Sequence, residues 1–190
     1  MNAVKYALAE IEIIRGIVAG VDNNQIDALI REIDAAKRIF VGGAGRSLLS
    51  MKGFAMRLMQ TGHETYLVGE VCTPSVQPGD ILIVGSGSGD TQVTLDMVIK
   101  AKKHGAKTAL ITKNRDSRIA KEAHFIIELP KPDMELGDEL HDEARFVKNN
   151  LGGNITETSV TFVLDGLIAR LMKEKGYTEE LIMFNHANLE

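Results

Sequence analysis

The chain has 190 residues, 44% of them hydrophobic, enough to bury one substantial core but little for two independent ones. Its formal charge of -4 mixes 22 basic with 26 acidic residues, so it offers no basic face to nucleic acid or to an anionic membrane. Cys72 is the single cysteine, which excludes an internal disulfide and fits a reducing, cytoplasmic setting.

The N-terminal stretch carries a charge every few residues and no uninterrupted apolar run, so neither a signal peptide nor a membrane span is expected. Val4, Leu8, Ile11, Ile14 and Val18 recur at helical spacing and predict an amphipathic helix from about Ala3 to Val18. Asp22 with Gln25 reads as a capping box that opens a second helix toward Ala36. The pattern changes at Arg38. Ile39 to Val41 is a short apolar strand that ends in Gly42-Gly43-Ala44-Gly45, followed by a helix from about Ser47 to Gln60. Thr65 to Val68 reads as a further strand. The strand-loop-helix unit then recurs as Ile81 to Val84, Gly85-Ser86-Gly87-Ser88-Gly89, and a helix from about Thr91 to His104.

Thr108 to Ile111 and Phe125 to Ile127 add two more buried-type strands. Pro130 to about Gly153 lacks periodicity and is expected to be an irregular connection. From Asn154 to Lys175 a broad stripe of Val160, Val163, Leu164, Leu167, Ile168 and Leu171 marks a long helix. Short apolar strands alternating with helices, with no hairpin signal between them, predict an α/β fold. The expected form is a three-layer, doubly wound, five-stranded parallel sheet with N-terminal helices.

The loop from Gly85 to Thr91 lies between a strand and a helix, where backbone N–H groups and the helix dipole converge on an anion. A flexible Ser-rich turn is the plainer reading. Two such loops in one sheet favour phosphate, because ligands of open α/β sheets bind at the carboxyl ends of the strands. Gly43-Ala44-Gly45-Arg46-Ser47 is no dinucleotide fingerprint, since Leu48 stands where its third glycine belongs, and neither loop ends as a Walker A motif does. Hydroxyls without a lysine suggest a monophosphate held by hydrogen bonds. Gly45, Gly87 and Gly89 would let the backbone approach it, and Arg46 either supplies charge or is a solvated loop residue. The five histidines are scattered without metal-pair spacing, so no metal is indicated, and there is no serine-hydrolase elbow.

GGAGRS, GSGSGDT, the segment Phe54 to Met59, Val68-Gly69-Glu70, Thr73-Pro74 and the tail Asn185 to Glu190 together resemble the sugar isomerase (SIS) domain and, within it, the 6-phospho-3-hexuloisomerase family. The resemblance covers about residues 37–190, leaving 1–36 as N-terminal helices that pack on the same domain or on a partner subunit. It implies interconversion of D-arabino-3-hexulose 6-phosphate and fructose 6-phosphate without cofactor or metal, in the ribulose monophosphate route of formaldehyde fixation. It further implies a homo-oligomer, with a tetramer favoured, and a link to 3-hexulose-6-phosphate synthase. Carried over by position, Ser47, Ser86, Ser88 and Thr91 bind the phosphate, Glu157 is the catalytic base and His186 a second catalytic group. The family usually reads Met-Gly-Ser/Thr-x-Phe-Glu where this chain has Gly152-Gly153-Asn154-Ile155-Thr156-Glu157, which keeps the glutamate and changes its surroundings.

The implied chemistry is a proton transfer between C2 and C3 through a cis-enediol, a task for a partly buried carboxylate. Asn154 and Glu157 also fit the N-cap and N3 positions of a helix, so Glu157 has a purely structural alternative. Two functional rivals stand beside the isomerase. One is a noncatalytic sugar-phosphate sensor, which would normally carry a DNA-binding module. The other is an isomerase for another ketose or aldose phosphate, which would normally carry further C-terminal domains.

Overall fold

The computed structural model describes residues 2–132 and 140–189. Five strands form one parallel sheet in the order β2-β1-β3-β4-β5: β1 (Ile39–Gly43), β2 (Thr65–Leu67), β3 (Ile81–Gly85), β4 (Lys107–Thr112) and β5 (Phe125–Glu128). Strand residues alternate between two apolar layers, as the pleat requires. Ile39, Val41, Ile81, Ile83, Ala109, Ile111 and Ile127 face the larger layer, while Phe40, Leu82, Val84 and Leu110 face the smaller.

The smaller layer is closed by α4 (Gln92–Lys103) and α5 (Arg118–Glu122) through Leu95, Val98, Ala101, Ile119 and Ala120. The larger is built by α1 (Ala3–Ala19), α2 (Asn23–Ala35), α3 (Gly45–Gln60), α6 (His141–Asn150) and α7 (Gly152–Lys175). All six stripe residues of α7 from Val160 to Leu171 are buried there. A short α8 (Glu179–Phe184) rests on α3. Since β1 is followed by β2 on one side and paired with β3 on the other, the winding reverses between β1 and β3. The two glycine loops flank that switch point, the crevice where open α/β sheets take their ligands.

Four local expectations are corrected. The stretch from Pro130 to Gly153 is not irregular throughout, because His141–Asn150 is helical, with only Ala144 and Val147 buried; 133–139 lie outside the described residues. The long helix begins at Gly152, with Leu151 at its N-cap, so Asn154 is not the cap and Glu157 is not at N3. Two glycines are tolerable in that first turn because its amides have no intrahelical partners to lose. Asp22 does cap α2 by accepting from the Asn24 amide, but Gln25 does not close a capping box; its side-chain oxygen accepts from the Glu128 amide and ties α2 to β5. On α1 the buried face is Ala9, Ile13, Ile14 and Ile17, while Val4, Leu8 and Ile11 are exposed.

Candidate active site

The pairing of Gly43 with Gly85 sets the loops after β1 and β3 side by side. The second loop is held from one side only. The Gly87 carbonyl accepts from Lys113 N and Thr112 Oγ1, both at 3.3 Å, the Ser88 carbonyl from Asn114 Nδ2 at 3.3 Å, and the Gly89 carbonyl from Ile119 N at 3.0 Å. Asp90 is gripped by Arg118, whose backbone amide and Nε reach its carboxylate at 3.1 and 3.3 Å while Nη2 donates to its carbonyl. With these carbonyls drawn toward the β4–α5 side, the amides of Gly87, Ser88 and Thr91 have no protein acceptor among the described residues. A run of unclaimed N–H groups at a helix start is an anion cradle. The helices agree with this. Neither Ala44 before α3 nor Thr91 before α4 caps its helix with a side chain, so the amides of Gly45, Arg46 and Ser47 and those of Gln92 and Val93 remain open, while Thr94 N donates to the Thr91 carbonyl at 3.1 Å.

The hydroxyls take different places around the cradle. Ser86 is buried, accepts from the Gly89 amide at 3.2 Å and lies 3.3 Å from the Thr91 hydroxyl. Ser88 is exposed and accepts from the Asp90 amide, and Ser47 sits half-buried in the first turn of α3. Gly45 opens α3 at φ +54°. Gly87 admits α7, since a Cβ there would lie 3.0 Å from Thr156 Cγ2. Gly89 is at φ +69°, and a Cβ on it would overlap the Ser117 side chain.

Thr156 and Glu157 face different ways from the start of α7. Thr156 lines a cavity of about 850 Å³ at the carboxyl edge of the sheet, together with Ser88, Asp90, Lys113, Asn114 and Lys148. Glu157 turns toward α3, where its Oε2 accepts from Arg46 Nε at 2.6 Å; its side chain is 16% exposed against 61% for Arg46. Ser50 Oγ donates to the Glu157 carbonyl at 3.0 Å and pins the same turn to α3. The Glu157 carboxylate is therefore occupied by a guanidinium, not by a helix N-terminus. Arg46 is likewise not a free loop residue. A second cavity, about 370 Å³ on the α4 face, is lined largely by apolar side chains such as Phe40, Val68, Leu82 and Met97 and holds none of the loop hydroxyls.

His186 is not brought to this place. Asn185 Nδ2 donates to the Gln60 carbonyl at 3.1 Å, which puts the tail at the far end of α3 from Arg46. The 16 residues of α3 correspond to roughly 24 Å of helix. His186 itself is exposed, its Nδ1 3.0 Å from the Ala187 carbonyl. Sequence reasoning did not find the Arg118 clamp, the Lys113 and Lys148 lining, or the partners of Arg46. Arg118 and Lys113 could have been suspected as cations just past β4, facing the Asp90 loop. Among the described residues no group of three or more His, Cys, Asp or Glu is placed to hold a metal ion, and no helix is long and apolar enough to cross a membrane.

Comparison with known proteins agrees with this architecture. The SIS domain family matches residues 32–143. A 3-hexulose-6-phosphate isomerase of Methylomonas aminofaciens is 42% identical over 86% of this chain and 87% of its own. One of Bacillus subtilis is 34% identical over the whole length of both. A solved structure from Methanococcus jannaschii, described as inferring a 3-hexulose-6-phosphate isomerase function, superposes with a TM-score of 0.80 at 31% identity, covering 95% of this chain and 99% of that one. With a five-stranded parallel sheet carrying two glycine loops at its switch point and relatives this close over nearly its full length, the chain belongs to the SIS domain family and, within it, to the 3-hexulose-6-phosphate isomerases.

Proposed function

We propose that this chain interconverts D-arabino-3-hexulose 6-phosphate and fructose 6-phosphate, the ketose step that follows 3-hexulose-6-phosphate synthase in the ribulose monophosphate route. The observation that carries the reading is the anion cradle of Ser86 to Thr91 beside a mostly buried carboxylate, Glu157, at the β1/β3 switch point. The cradle takes the phosphate by neutral donors: backbone amides and the hydroxyls of Ser47, Ser86, Ser88 and Thr91. The substrate ketone has no hydroxyl placed to close a five- or six-membered ring while C6 carries phosphate, so it arrives open-chain.

Arg46 occupies Oε2 of Glu157 and leaves Oε1 to take the C2 proton, which is acidified by the C3 carbonyl. The enediolate forms between C2 and C3, with the guanidinium at hand for its oxygen; the hydroxyl proton passes from O2 to O3, and return of the carbon-bound proton to C3 then leaves the carbonyl on C2. A homo-oligomer, with a tetramer favoured, completes the reading. Val4, Leu8 and Ile11 line up exposed along the outside of α1, and Leu49 and Phe162 are exposed as well, which supports a covered face. His186 then enters the site of a neighbouring subunit, since it is a helix length away in its own.

The test supplies 3-hexulose 6-phosphate and reads fructose 6-phosphate, for the wild type and Glu157→Gln. The Gln side-chain oxygen can still accept from Arg46 but cannot take a carbon-bound proton. Turnover is expected to fall by at least about 10²-fold with sugar-phosphate affinity and melting temperature kept. A folded, ligand-binding Glu157→Gln that turns over normally removes Glu157 from the chemistry. An inactive wild type removes the reaction.

A further inference from the structure

Resting on that reading, we propose that Glu10 and Asn154 are positioning residues, which hold Arg46 against Glu157 through a hydrogen-bond relay that starts on the N-terminal helix. Asn154 accepts from Arg46 Nη2 with its side-chain oxygen and donates from its side-chain nitrogen to Glu10 Oε1. The orientation of the amide is fixed by its partners, because a guanidinium only donates and a carboxylate only accepts. Only a side chain that is both acceptor and donor can stand between the two. The relay runs Glu10, Asn154, Arg46, Glu157, with Arg46 Nε on Glu157 Oε2 at 2.6 Å as its last link.

The need for the relay follows from exposure. A guanidinium as exposed as that of Arg46, with one ionic partner, gains little from the pair and keeps much of its rotamer freedom. A second contact at Nη2 fixes the plane of the fork, and with it which Glu157 oxygen is covered. Asn154 is half-buried near the start of α7, and Glu10 stands between Ala9 and Ile13 on the side of α1 whose neighbours enter the core. The last anchor is therefore a packed helix, and a displacement of α1 is transmitted to the oxygen that takes the proton.

Asn154→Ala is expected to lower kcat about 10- to 100-fold with KM within about twofold, the size of effect a displaced catalytic group produces. Glu10→Ala should lower kcat in the same way and less. Glu10→Gln, which keeps an acceptor for the Asn154 amide, should restore it to within about twofold of wild type. Glu10→Ala combined with Asn154→Ala should be no slower than Asn154→Ala alone, because Glu10 acts only through Asn154. An activity-independent readout is the nitrogen NMR signal of Arg46 Nε–H, expected to be sharp and slow to exchange in the wild type and in Glu10→Gln, and broadened in both alanine variants. An unchanged kcat in folded Asn154→Ala, a loss confined to KM, or multiplicative losses in the double variant would each overturn the relay. An unbroadened Arg46 signal in Asn154→Ala overturns it whether or not the wild type is active. A wild type that turns over no 3-hexulose 6-phosphate, with the expected NMR pattern intact, overturns the reaction and keeps the relay.

Discussion

Replacing Gly89 by Ala tests how the cradle is held rigid. At φ +69° an L-residue costs about 1–2 kcal/mol on backbone grounds alone. The added Cβ also overlaps the Oγ and Cβ of Ser117 and comes within 3.2 Å of Thr112 Oγ1. Ser117 is 3% exposed and caps α5 by accepting from the Ala120 amide, so it has nowhere to go without abandoning that role. Forced overpacking adds about 1–3 kcal/mol and loss of a Ser cap about 1 kcal/mol. The sum, about 3–6 kcal/mol, is a large share of the stability of an ordinary domain. Shrinking Ser117 to Gly removes both overlapping atoms, and Gly at an N-cap is worse than Ser by only a few tenths of a kcal/mol. Gly89→Ala with Ser117→Gly is therefore expected to be more stable than Gly89→Ala alone by about 1–3 kcal/mol, a reversal of sign, while Ser117→Gly alone destabilises. Urea unfolding of the four proteins, with m held constant as a check on two-state behaviour, measures this directly. A double variant less stable than Gly89→Ala would refute the overlap and leave only the backbone term.

Three further outcomes are expected. Burial lowers the His63 pKa below its ordinary value, helped by Lys175 and opposed by Asp34, so the unfolded chain binds the proton more readily than the folded one; the stability this contributes is full above about pH 6.5 and is lost as the pH falls below it. His63→Asn, which keeps a donor for Thr61, should flatten the fall in melting temperature between pH 7.5 and 5.5, and an unchanged slope would exclude His63 as a source. Ser86→Ala with Ser88→Ala should weaken sugar-phosphate binding by about tenfold or more, for two hydrogen bonds to a charged group; unaltered affinity in calorimetry would place the phosphate elsewhere. Mixed oligomers of Glu157→Gln and His186→Ala subunits should regain turnover that neither variant shows alone, and a monomer by light scattering, or no regain, would exclude a site shared between subunits.

What was legible in the sequence follows what the chain buries. A parallel sheet covered on both faces writes its strands as short apolar runs, so Ile39 to Val41 and Ile81 to Val84 stood out and their glycine loops marked the carboxyl edge. The helix His141–Asn150 buries only Ala144 and Val147 and leaves no stripe to read. On α1 two apolar rows compete, and the sequence cannot say that Ala9, Ile13, Ile14 and Ile17 turn inward while Val4, Leu8 and Ile11 do not. Gly152 and Gly153 looked like a break and are a first helical turn, which moved Glu157 away from the capping position it seemed to fill. The Arg46–Glu157 pair joins residues 111 apart in the chain and leaves no local pattern at all. Family resemblance supplied Glu157 as a base; only the fold shows what holds it.

The molecule divides between the part that matches the SIS domain and the helices that flank it. The sheet, the two glycine loops, Ser47, Ser86, Ser88 and Thr91 all lie within residues 32–143, the part that defines the SIS domain. That part contains the run of unclaimed amides, braced by Arg118 and the β4–α5 turn. Glu157, Asn154 and Thr156 come from α7, Glu10 from α1 and His186 from the tail, all outside that part. On the proposed reading, phosphate recognition belongs to the domain, whereas chemistry depends on which side chains the flanking helices lower onto its carboxyl edge. Thr156 packs against Gly87 and Glu157 takes up Arg46 from adjacent positions of one helix turn, so α7 touches the cradle and the loop arginine together. If the cradle takes the phosphate and Glu157 the proton, as proposed, a change in how α7 seats on α3 alters both at once and couples substrate occupancy to the placement of the base.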